Sequence, residues 1–451
     1  MGFKKDFVWG TATASYQIEG GMDNGKRGYT VWDDFCARPG TILDGSDGSV
    51  ACDHYHRFKE DVKYMKALGV KAYRLSIAWA RLLPNGTGEV NEDGIRFYHE
   101  LFDELLNNGI TPYVTLFHWD LPFALFERGG WENPDCVEWF GEYAALVAKT
   151  YGDKVKHFFT FNEPQCFIGL GHVTGIHAPG NIMSRRSVLT MTHHVLMAHG
   201  MAVRKIRANI TDAKVGIAPT STPACPKTSS AADIKAAYDA YFDVPDQDNY
   251  MWSVSWWSDP IFFGKYPEAG LKLFAKDLPE MKDSDFELIS EPIDFYGQNI
   301  YNGYIVEADE NGLAREVKRK LGHPRTAINW PVVPESIYWG PRFLYERYKT
   351  PIFITENGLS CTDVVCLDGE IHDTERIDFL QRYLRELRSA IADGVDVKGY
   401  FLWSLIDNFE WHSGYTERFG IIHVDYETQV RTVKDSAKWY KKVVEANGEN
   451  L

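Results

Sequence analysis

Long hydrophobic runs are missing from this sequence of 451 residues, whose apolar stretches are far shorter than the roughly 18 residues that cross a bilayer. The sequence therefore predicts no membrane partner. Basic residues are in the minority, because 48 Lys and Arg stand against 63 Asp and Glu, giving a formal net charge of −15. A field of that sign repels phosphate backbones, so no nucleic-acid partner is expected.

Cysteine is also scarce and irregularly spaced. The seven cysteines form no CxxC or zinc-ligand spacing, so no metal is predicted. Their odd number argues against a disulfide framework. The opening MGFKKDFVWG lacks the apolar run and the small-residue cleavage site of a secretory signal. These features together predict reduced thiols and a cytoplasmic location.

No internal repeat and no Gly/Ser-rich or Pro-rich linker divides the chain, so residues 1–451 are interpreted as a single catalytic domain. Short β-rich runs alternate with amphipathic stretches along its whole length. The candidate strands are residues 7–13, 71–77, 111–118, 157–162, 214–219, 294–299, 351–356 and 398–404. The amphipathic stretches with helical spacing are residues 55–68, 95–106, 137–151, 187–207 and 375–393.

The number and character of these strands favour one α/β fold. Runs such as PYVTLF and PIFIT are nearly continuous in apolar residues, which suits a parallel sheet covered on both faces. Eight βα units predict a single (β/α)8 TIM barrel, with elaborated βα loops at residues 220–260 and 301–334. An open doubly wound sheet is the alternative, but no GxGxxG turn follows an early strand.

Two glutamates end strands that should lie across the barrel from each other. Glu163 follows the apolar run FFTF and Asn162, and Glu356 follows IFIT. A single strand-end carboxylate is readily explained as a helix cap or a partner of arginine. Two opposed carboxylates at the carboxyl ends of barrel strands fit glycosidic bond cleavage, where one protonates the leaving oxygen and the other attacks the anomeric carbon or activates water.

Aromatic residues are abundant, with 14 Trp, 24 Tyr and 26 Phe. Most aromatic side chains in any protein belong to its core, but flat rings with a polar edge also suit the CH faces of sugars. The composition therefore agrees with a carbohydrate substrate without requiring one.

Six segments resemble the motifs of glycoside hydrolase family 1, the β-glucosidase family, and they occur in the family's order. The two signature motifs are TFNEP at residues 160–164 and ITENG at residues 354–358. The other four are FVWGTATASYQIEG at 7–20, ACDHYHRFKEDVKYMKALGVKAYRLSIAW at 51–79, FHWDLP at 117–122 and LWSLIDNFEW at 402–411. The resemblance covers essentially the whole chain.

This resemblance implies a retaining mechanism in which Glu163 is the general acid/base and Glu356 the nucleophile. Arg74 is similar to the family arginine beside the nucleophile, and its charge would favour ionised Glu356. Tyr301 matches the tyrosine that hydrogen-bonds the same carboxylate. Because an acid must be protonated and a nucleophile ionised, the two carboxyl groups should have different surroundings.

The resemblance also implies a pocket for the terminal sugar. Its residues would be Gln17, His118, Asn162, Glu410 and Trp411 as hydroxyl ligands and Trp403 as the stacking platform, with Trp119 and Asn299 close by. Barrel-mouth packing is the alternative for the two tryptophans Trp119 and Trp403, and a structural histidine or a metal ligand is the alternative for His118. His54 and His56 have metal-like spacing, but they fall at the start of a helix, where packing or capping is the favoured role.

Two positions depart from relatives. Many relatives carry Trp directly after the NEP motif, where this chain has Gln165 and then Cys166, which leaves the aglycone side undefined. Glu410 stands where the phospho-β-glucosidases of the family lack an acidic residue, and a carboxylate there would repel a 6-phosphate.

The resulting hypothesis is a retaining exo-β-glycosidase that hydrolyses terminal non-reducing β-D-glucosyl residues of cellobiose, aryl glucosides and small β-glucosides, with β-galactosides or β-fucosides as further substrates. The small-molecule glycoside is the only expected partner, and no cofactor is expected because both reacting groups are carboxylates. The alternatives are a β-transglycosidase and a non-catalytic sugar-binding barrel.

Overall fold

The computed structural model describes residues 2–23, 25–245 and 247–451. Asp246 of the predicted loop 220–260 therefore lies outside the described residues. The strands of the described residues are β1 (Val8–Ala12), β2 (Ala72–Ser76), β3 (Thr111–Phe117), β4 (His157–Asn162), β5 (Lys214–Ala218), β6 (Ala224–Pro226), β7 (Phe295–Asn299), β8 (Tyr304–Ala308), β9 (Ala314–Glu316), β10 (Ile352–Asn357), β11 (Val397–Trp403), β12 (Ile422–Val424) and β13 (Arg431–Val433).

Helices fill most of the connections between these strands. The α-helices are α1 (Ser15–Ile18), α2 (Val31–Cys36), α3 (His54–Ala67), α4 (Trp79–Leu82), α5 (Glu92–Asn107), α6 (Phe123–Glu127), α7 (Cys136–Tyr151), α8 (Pro164–His172), α9 (Arg185–Asn209), α10 (Ala231–Phe242), α11 (Val254–Phe263), α12 (Glu268–Leu273), α13 (Asp283–Ile289), α14 (Ser336–Tyr348), α15 (Thr374–Ala392) and α16 (Asp435–Glu445). Short 3₁₀ helices lie at Gly130–Glu132, Gln247–Trp252 and Trp411–Ser413. In the part of the chain that is described, none of the helices combines the length and apolarity needed to cross a membrane.

Eight parallel strands close into a barrel in the order β1-β11-β10-β7-β5-β4-β3-β2. Each of them coincides with one of the eight predicted strands to within a residue or two at either end, and the (β/α)8 barrel is confirmed. Parallel closure works here because both faces of these strands are buried, as the apolar runs indicate.

The interior of the barrel is filled by aromatic rings. Tyr113 of β3 lies 5.7 Å from Phe353 of β10 between ring centroids, although these strands are not neighbours in the sheet, so the contact crosses the interior. Phe295 of β7 packs against both Phe353 and Phe159, at 5.2 and 5.0 Å. Because these rings block the barrel, a ligand can be held only at its ends.

The two long loops contain structure that the sequence did not predict. A three-stranded sheet in the order β6-β8-β9 joins the loops after β5 and β7, and β12 pairs antiparallel with β13 near the end of the chain. β6, β9, β12 and β13 have three residues each. Strands this short show no period-two pattern that separates them from loops.

A buried ion network fixes the segment that follows β11. Asp407 accepts hydrogen bonds from Lys434 at 2.7 Å and from Arg418 at 2.6 Å, and Lys434 also contacts Asp363. Lys434 and Asp407 are fully buried. The network thereby ties the residues just before Glu410 to the turn that begins α16.

Replacing Lys434 by Met is expected to lower the free energy of unfolding by about 3–5 kcal/mol, because two buried carboxylates lose their shared cation. Urea unfolding followed by circular dichroism measures the change. The matched control is Lys438→Met, since Lys438 is half exposed and its ion pairs with Glu370 and Asp435 lie at the surface. The control should cost less than about 1 kcal/mol. Equal losses for the two variants would contradict a structural role for the network.

Candidate active site

A cavity of about 1300 Å³ lies at the end of the barrel where the parallel strands finish. Nine of the predicted site residues line it: His118, Trp119, Asn162, Glu163, Tyr301, Glu356, Trp403, Glu410 and Trp411. Three other predicted residues are buried and contact side chains that line the cavity. They are Arg74 beside Glu356, Asn299 beside Glu163 and Gln17 beside Glu410. The structure thus brings the predicted residues together at one place.

Glu356 is held between a cation and a phenol. It is the fifth residue of β10 and is 3% exposed. Arg74 of β2 donates from Nη1 to its Oε1 at 2.6 Å, and the hydroxyl of Tyr301 donates to its Oε2 at 2.6 Å. Both oxygens therefore accept strong hydrogen bonds that favour the ionised carboxylate.

Glu163 has neutral partners instead. It directly follows β4 and occupies the N-cap position of α8 without a capping hydrogen bond from its side chain, and Pro164 is the first helical residue. Asn299 donates from Nδ2 to Oε1 at 2.7 Å, and the thiol of Cys166 lies 3.0 Å from Oε2. The carboxyl is 7% exposed, so burial is opposed by weaker hydrogen bonds than those around Glu356.

The pKa shifts of the two carboxyl groups follow from these surroundings. Burial raises the pKa of Glu163 to about 7, and the charge of Glu356 adds to that rise. Burial also raises the pKa of Glu356, but Arg74 and the Tyr301 hydroxyl oppose the rise. The charge of each group affects the titration of the other, and the arrangement favours placing the proton on Glu163.

Two asparagines connect the carboxylates to the rest of the site. Asn162 Oδ1 accepts from Arg74 Nη2 at 2.6 Å and from Asn299 Nδ2 at 3.0 Å. Asn299 Oδ1 accepts from the Thr355 hydroxyl at 2.6 Å. The amide of Asn299 therefore contacts both Glu163 itself and Thr355, the residue before Glu356.

His118 is a neutral group with one free ring nitrogen. It is 2% exposed, and burial, together with the charge of Arg74, lowers its pKa well below the usual value. Its Nε2 accepts from Asn162 Nδ2 at 3.0 Å, which places the ring proton on Nδ1. Nδ1 is buried and has no hydrogen-bond partner among the described residues, so it is available as a donor to a ligand.

Other buried oxygens near Glu410 also lack partners among the described residues. Gln17 Oε1, Glu410 Oε2 and Glu417 Oε2 make no hydrogen bond there, whereas Gln17 Nε2 is engaged by Asn408 and the Phe409 carbonyl. Burial raises the pKa of the Glu410 carboxyl to about 8, and the charges of Glu356 and Glu417 add to the rise. A protonated carboxyl donates as well as accepts, so this group of polar atoms suits a ligand rich in hydroxyl groups.

Indole rings make up one wall of the cavity. The ring of Trp411 lies 4.5 Å from that of Trp119, and Trp403 lies nearly parallel to the His118 ring at 5.9 Å. Trp119 Nε1 is committed to the Asn162 carbonyl at 2.9 Å. Three residues of the site have left-handed backbone angles without being glycine: Trp119 at φ 80°, Glu163 at φ 43° and Trp411 at φ 51°.

The metal-like histidines have structural partners. His54 Nδ1 lies 2.7 Å from Asp61, which in turn is bound by Arg431, and His56 contacts Asp53. Neither histidine lines the cavity. Cys166 and Glu417 are contributors that the sequence analysis did not select, because Cys166 was read only as a departure from relatives and nothing local marks Glu417.

Comparison with known proteins gives matches along the whole chain. The family model described as glycosyl hydrolase family 1 matches residues 1–449. β-Glucosidase A of Thermotoga maritima is 45% identical over 449 residues, covering 99% of this chain and 98% of the relative. A 1,4-β-D-glucan glucohydrolase of Thermotoga neapolitana is 43% identical, with 99% of each chain covered.

Solved structures agree with the sequence matches. The β-glucosidase of T. maritima in complex with deoxynojirimycin superposes with a TM-score of 0.90 and 44% identity over 99% of both chains. The same scores apply to its complex with galacto-hydroximolactam. These likenesses far exceed a shared fold alone.

Proposed function

The chain belongs to glycosyl hydrolase family 1 and is a β-glucosidase, and from that premise we propose that it works by retention, with Glu356 as nucleophile and Glu163 as acid/base. One observation carries this assignment. The two buried carboxyl groups face one cavity, but Glu356 is bound by a cation and a phenol whereas Glu163 has an amide and a thiol.

In the first step ionised Glu356 attacks the anomeric carbon of the bound glucoside. The bond from that carbon to the aglycone oxygen breaks, and Glu163 donates its proton to the departing oxygen. The product is a glucosyl ester of Glu356 and a free alcohol. The raised pKa of Glu163 supports this role, because an acid with a pKa of about 7 still holds its proton at mildly acidic pH.

In the second step Glu163, now ionised, removes a proton from a water molecule. The water oxygen attacks the anomeric carbon, the ester bond to Glu356 breaks, and both carboxyl groups return to their starting state. Each step inverts the anomeric carbon, so β-glucose is released from a β-glucoside. Tyr301 and Arg74 stabilise the negative charge that returns to Glu356 by donating hydrogen bonds to it.

The sugar itself is proposed to lie against Trp403, with its hydroxyl groups directed to Gln17, His118, Asn162, Glu410 and Trp411. The buried polar atoms without partners in this region support that placement, since a bound sugar would satisfy them. Because all of these groups would bind one sugar residue, we propose that a terminal residue is removed rather than an internal one.

Cellobiose and short β-1,4-glucans are proposed as substrates beside aryl glucosides, which would give the enzyme a part in cellulose degradation. A relative named as a 1,4-β-D-glucan glucohydrolase supports this proposal. Extension to β-galactosides is supported by the relative that binds galacto-hydroximolactam.

Two further proposals concern the whole molecule. Residues 1–451 are proposed to act as one catalytic domain, which is supported by a hydrophobic cluster that runs from Phe3 to Val444. The cytoplasm is proposed as the site of action, which is supported by seven cysteines that are all free thiols.

The assignment of Glu163 is tested by the pH dependence of kcat/KM. The wild-type profile is expected to be bell-shaped, because Glu356 must be ionised and Glu163 protonated, and its alkaline limb should lie near pH 7. Glu163→Gln should remove that limb, measured for both enzymes with 4-nitrophenyl β-D-glucoside, whose departure is assisted by the acid in the wild type but can still be measured without it. Glu138→Gln, at a surface glutamate, serves as the control and should keep the bell shape. Persistence of the alkaline limb in Glu163→Gln would assign the acid to another group.

A further inference from the structure

Cys166 lies where it can influence the acid/base directly. It occupies the first turn of α8, three residues after Glu163, and its backbone N–H donates to the Glu163 carbonyl at 2.8 Å. The same turn brings Sγ to 3.0 Å from Glu163 Oε2. The side chain is 6% exposed and lines the cavity.

When Glu163 is ionised, the thiol of Cys166 must be the donor in this contact. Burial, with the adjoining Glu163 charge, raises the pKa of the Cys166 thiol well above its usual value, so the sulfur keeps its proton. A carboxylate, in contrast, has no proton to give. The contact is therefore an S–H···O hydrogen bond that stabilises the charged form of Glu163.

Few other groups compensate for that charge. The charged and titratable side chains that face Glu163 are Arg74 from β2, Glu356 from β10, Tyr301 after β7, Glu410 after β11 and Cys166 itself. Two of these are acidic, and Arg74 donates to Glu356 and Asn162 rather than to Glu163. Among the described residues, Asn299 and Cys166 are the side chains that donate to the Glu163 carboxyl.

We propose that Cys166 is a positioning residue of the glucosidase reaction, whose thiol holds Oε2 of Glu163 in place and stabilises the anion that acts as base in the second step. This inference rests on the proposed role of Glu163. Without the thiol, Glu163 would remain an adequate acid but would become a poorer source of the ionised base.

The sign of the effect follows from that stabilisation. A hydrogen bond to the ionised form lowers the pKa of a carboxyl group, so its removal raises the pKa of Glu163. The alkaline limb of kcat/KM, which reports acid Glu163 in the free enzyme, should then move to higher pH. The acid limb of kcat for a substrate limited by the second step, which reports base Glu163 in the ester, should move in the same direction.

Cys166→Ala and Cys166→Val test the proposal, because Val keeps most of the volume but has no donor. With phenyl β-D-glucoside, the alkaline limb of kcat/KM should move to higher pH by about 0.5 to 1 unit in both variants. With 2,4-dinitrophenyl β-D-glucoside, kcat below the acid limb should fall about three- to tenfold while kcat/KM stays unchanged. KM should fall in proportion, because the ester accumulates.

Cys166→Ser supplies the rescue, since a hydroxyl donates from nearly the same place. Its two limbs are expected within about 0.3 pH unit of the wild-type limbs, a smaller difference than a full hydrogen bond produces. Cys136→Ala is the matched control for loss of a buried thiol, because Cys136 lies in α7 and its Sγ contacts the Trp131 carbonyl at 3.7 Å. The control should keep both limbs at their wild-type positions.

The proposal is overturned if the limbs of the Val variant coincide with those of the wild type, or if Ser shifts them as far as Val does. Neither result would touch the proposed function, which depends on Glu163→Gln and not on residue 166. A Glu163→Gln enzyme with an intact alkaline limb would instead remove the basis of both proposals.

Discussion

Glu356→Gly should lose glucosidase activity by more than about ten-thousandfold, because without a nucleophile no ester forms and neither step can begin. Azide is expected to restore turnover of 2,4-dinitrophenyl β-D-glucoside by entering the space that the carboxylate leaves. Azide would attack from the face that Glu356 occupies, and a single inversion would give α-glucosyl azide. The anomeric coupling constant in the proton NMR spectrum identifies the product.

Glu163→Ala is the complementary variant. Its loss with poor leaving groups should be about a hundred- to ten-thousandfold, the usual contribution of a general acid. Here azide would replace water in the second step, after the ester of Glu356 has formed, and two inversions would give β-glucosyl azide. The same azide anomer from both variants would disprove the assignment of the two roles.

Glucosides that carry a 6-phosphate should be very poor substrates. Glu410 and Glu417 both have buried oxygens that lack partners in the described part of the chain, and no Lys or Arg is found among the described residues that line the cavity. The nearby Arg418 is engaged by Asp407 and by the Val424 carbonyl. A phosphate dianion would lose its hydration and meet carboxyl groups instead of a cation, so kcat/KM for a β-glucoside should exceed that for its 6-phosphate by about a thousandfold or more.

Glu410→Ser should narrow this gap, chiefly by weakening the binding of the neutral substrate, whose hydroxyl groups lose the hydrogen bonds of the carboxyl. The measurement is kcat/KM for 4-nitrophenyl β-D-glucoside and its 6-phosphate with both enzymes. Glu449→Ser, near the exposed end of the chain, is the control and should leave both constants unchanged. Faster turnover of the phosphorylated substrate by the wild-type enzyme would refute the argument.

The barrel was predictable because each of its strands is marked twice, by an apolar run and by its place between amphipathic helices. The positions of Glu163 and Glu356 followed from the same reasoning, since parallel strands end at one rim. Arg74 and Tyr301 came from a family resemblance, and the structure places both against Glu356. Their contacts join β2 and the loop after β7 to β10, which are far apart in sequence.

Other features of the site could not be predicted from local sequence. Asn299 reaches both Asn162 and Glu163 because only β5 separates β7 from β4 in the barrel, although these strands are far apart in sequence. The thiol of Cys166 reaches Glu163 because α8 starts directly after Glu163, whose backbone is left-handed. The residue types around Cys166 give no sign of that geometry. The sheet β6-β8-β9 joins two loops, and its strands β6 and β9, of three residues each, are too short to show a period.

The left-handed backbone of Glu163 sets function against stability during evolution. A residue other than glycine in that conformation costs the folded state about 1–3 kcal/mol, a cost that glycine would largely avoid. Trp119 and Trp411 share the conformation, but their buried rings contribute more packing energy than glycine would recover. Selection for stability alone would therefore drive position 163 toward glycine, and only the demand for an acid opposes that drift. A lineage that ceased to use glycosides could lose its acid/base by a mutation that makes the barrel more stable, leaving an inactive descendant with an intact fold.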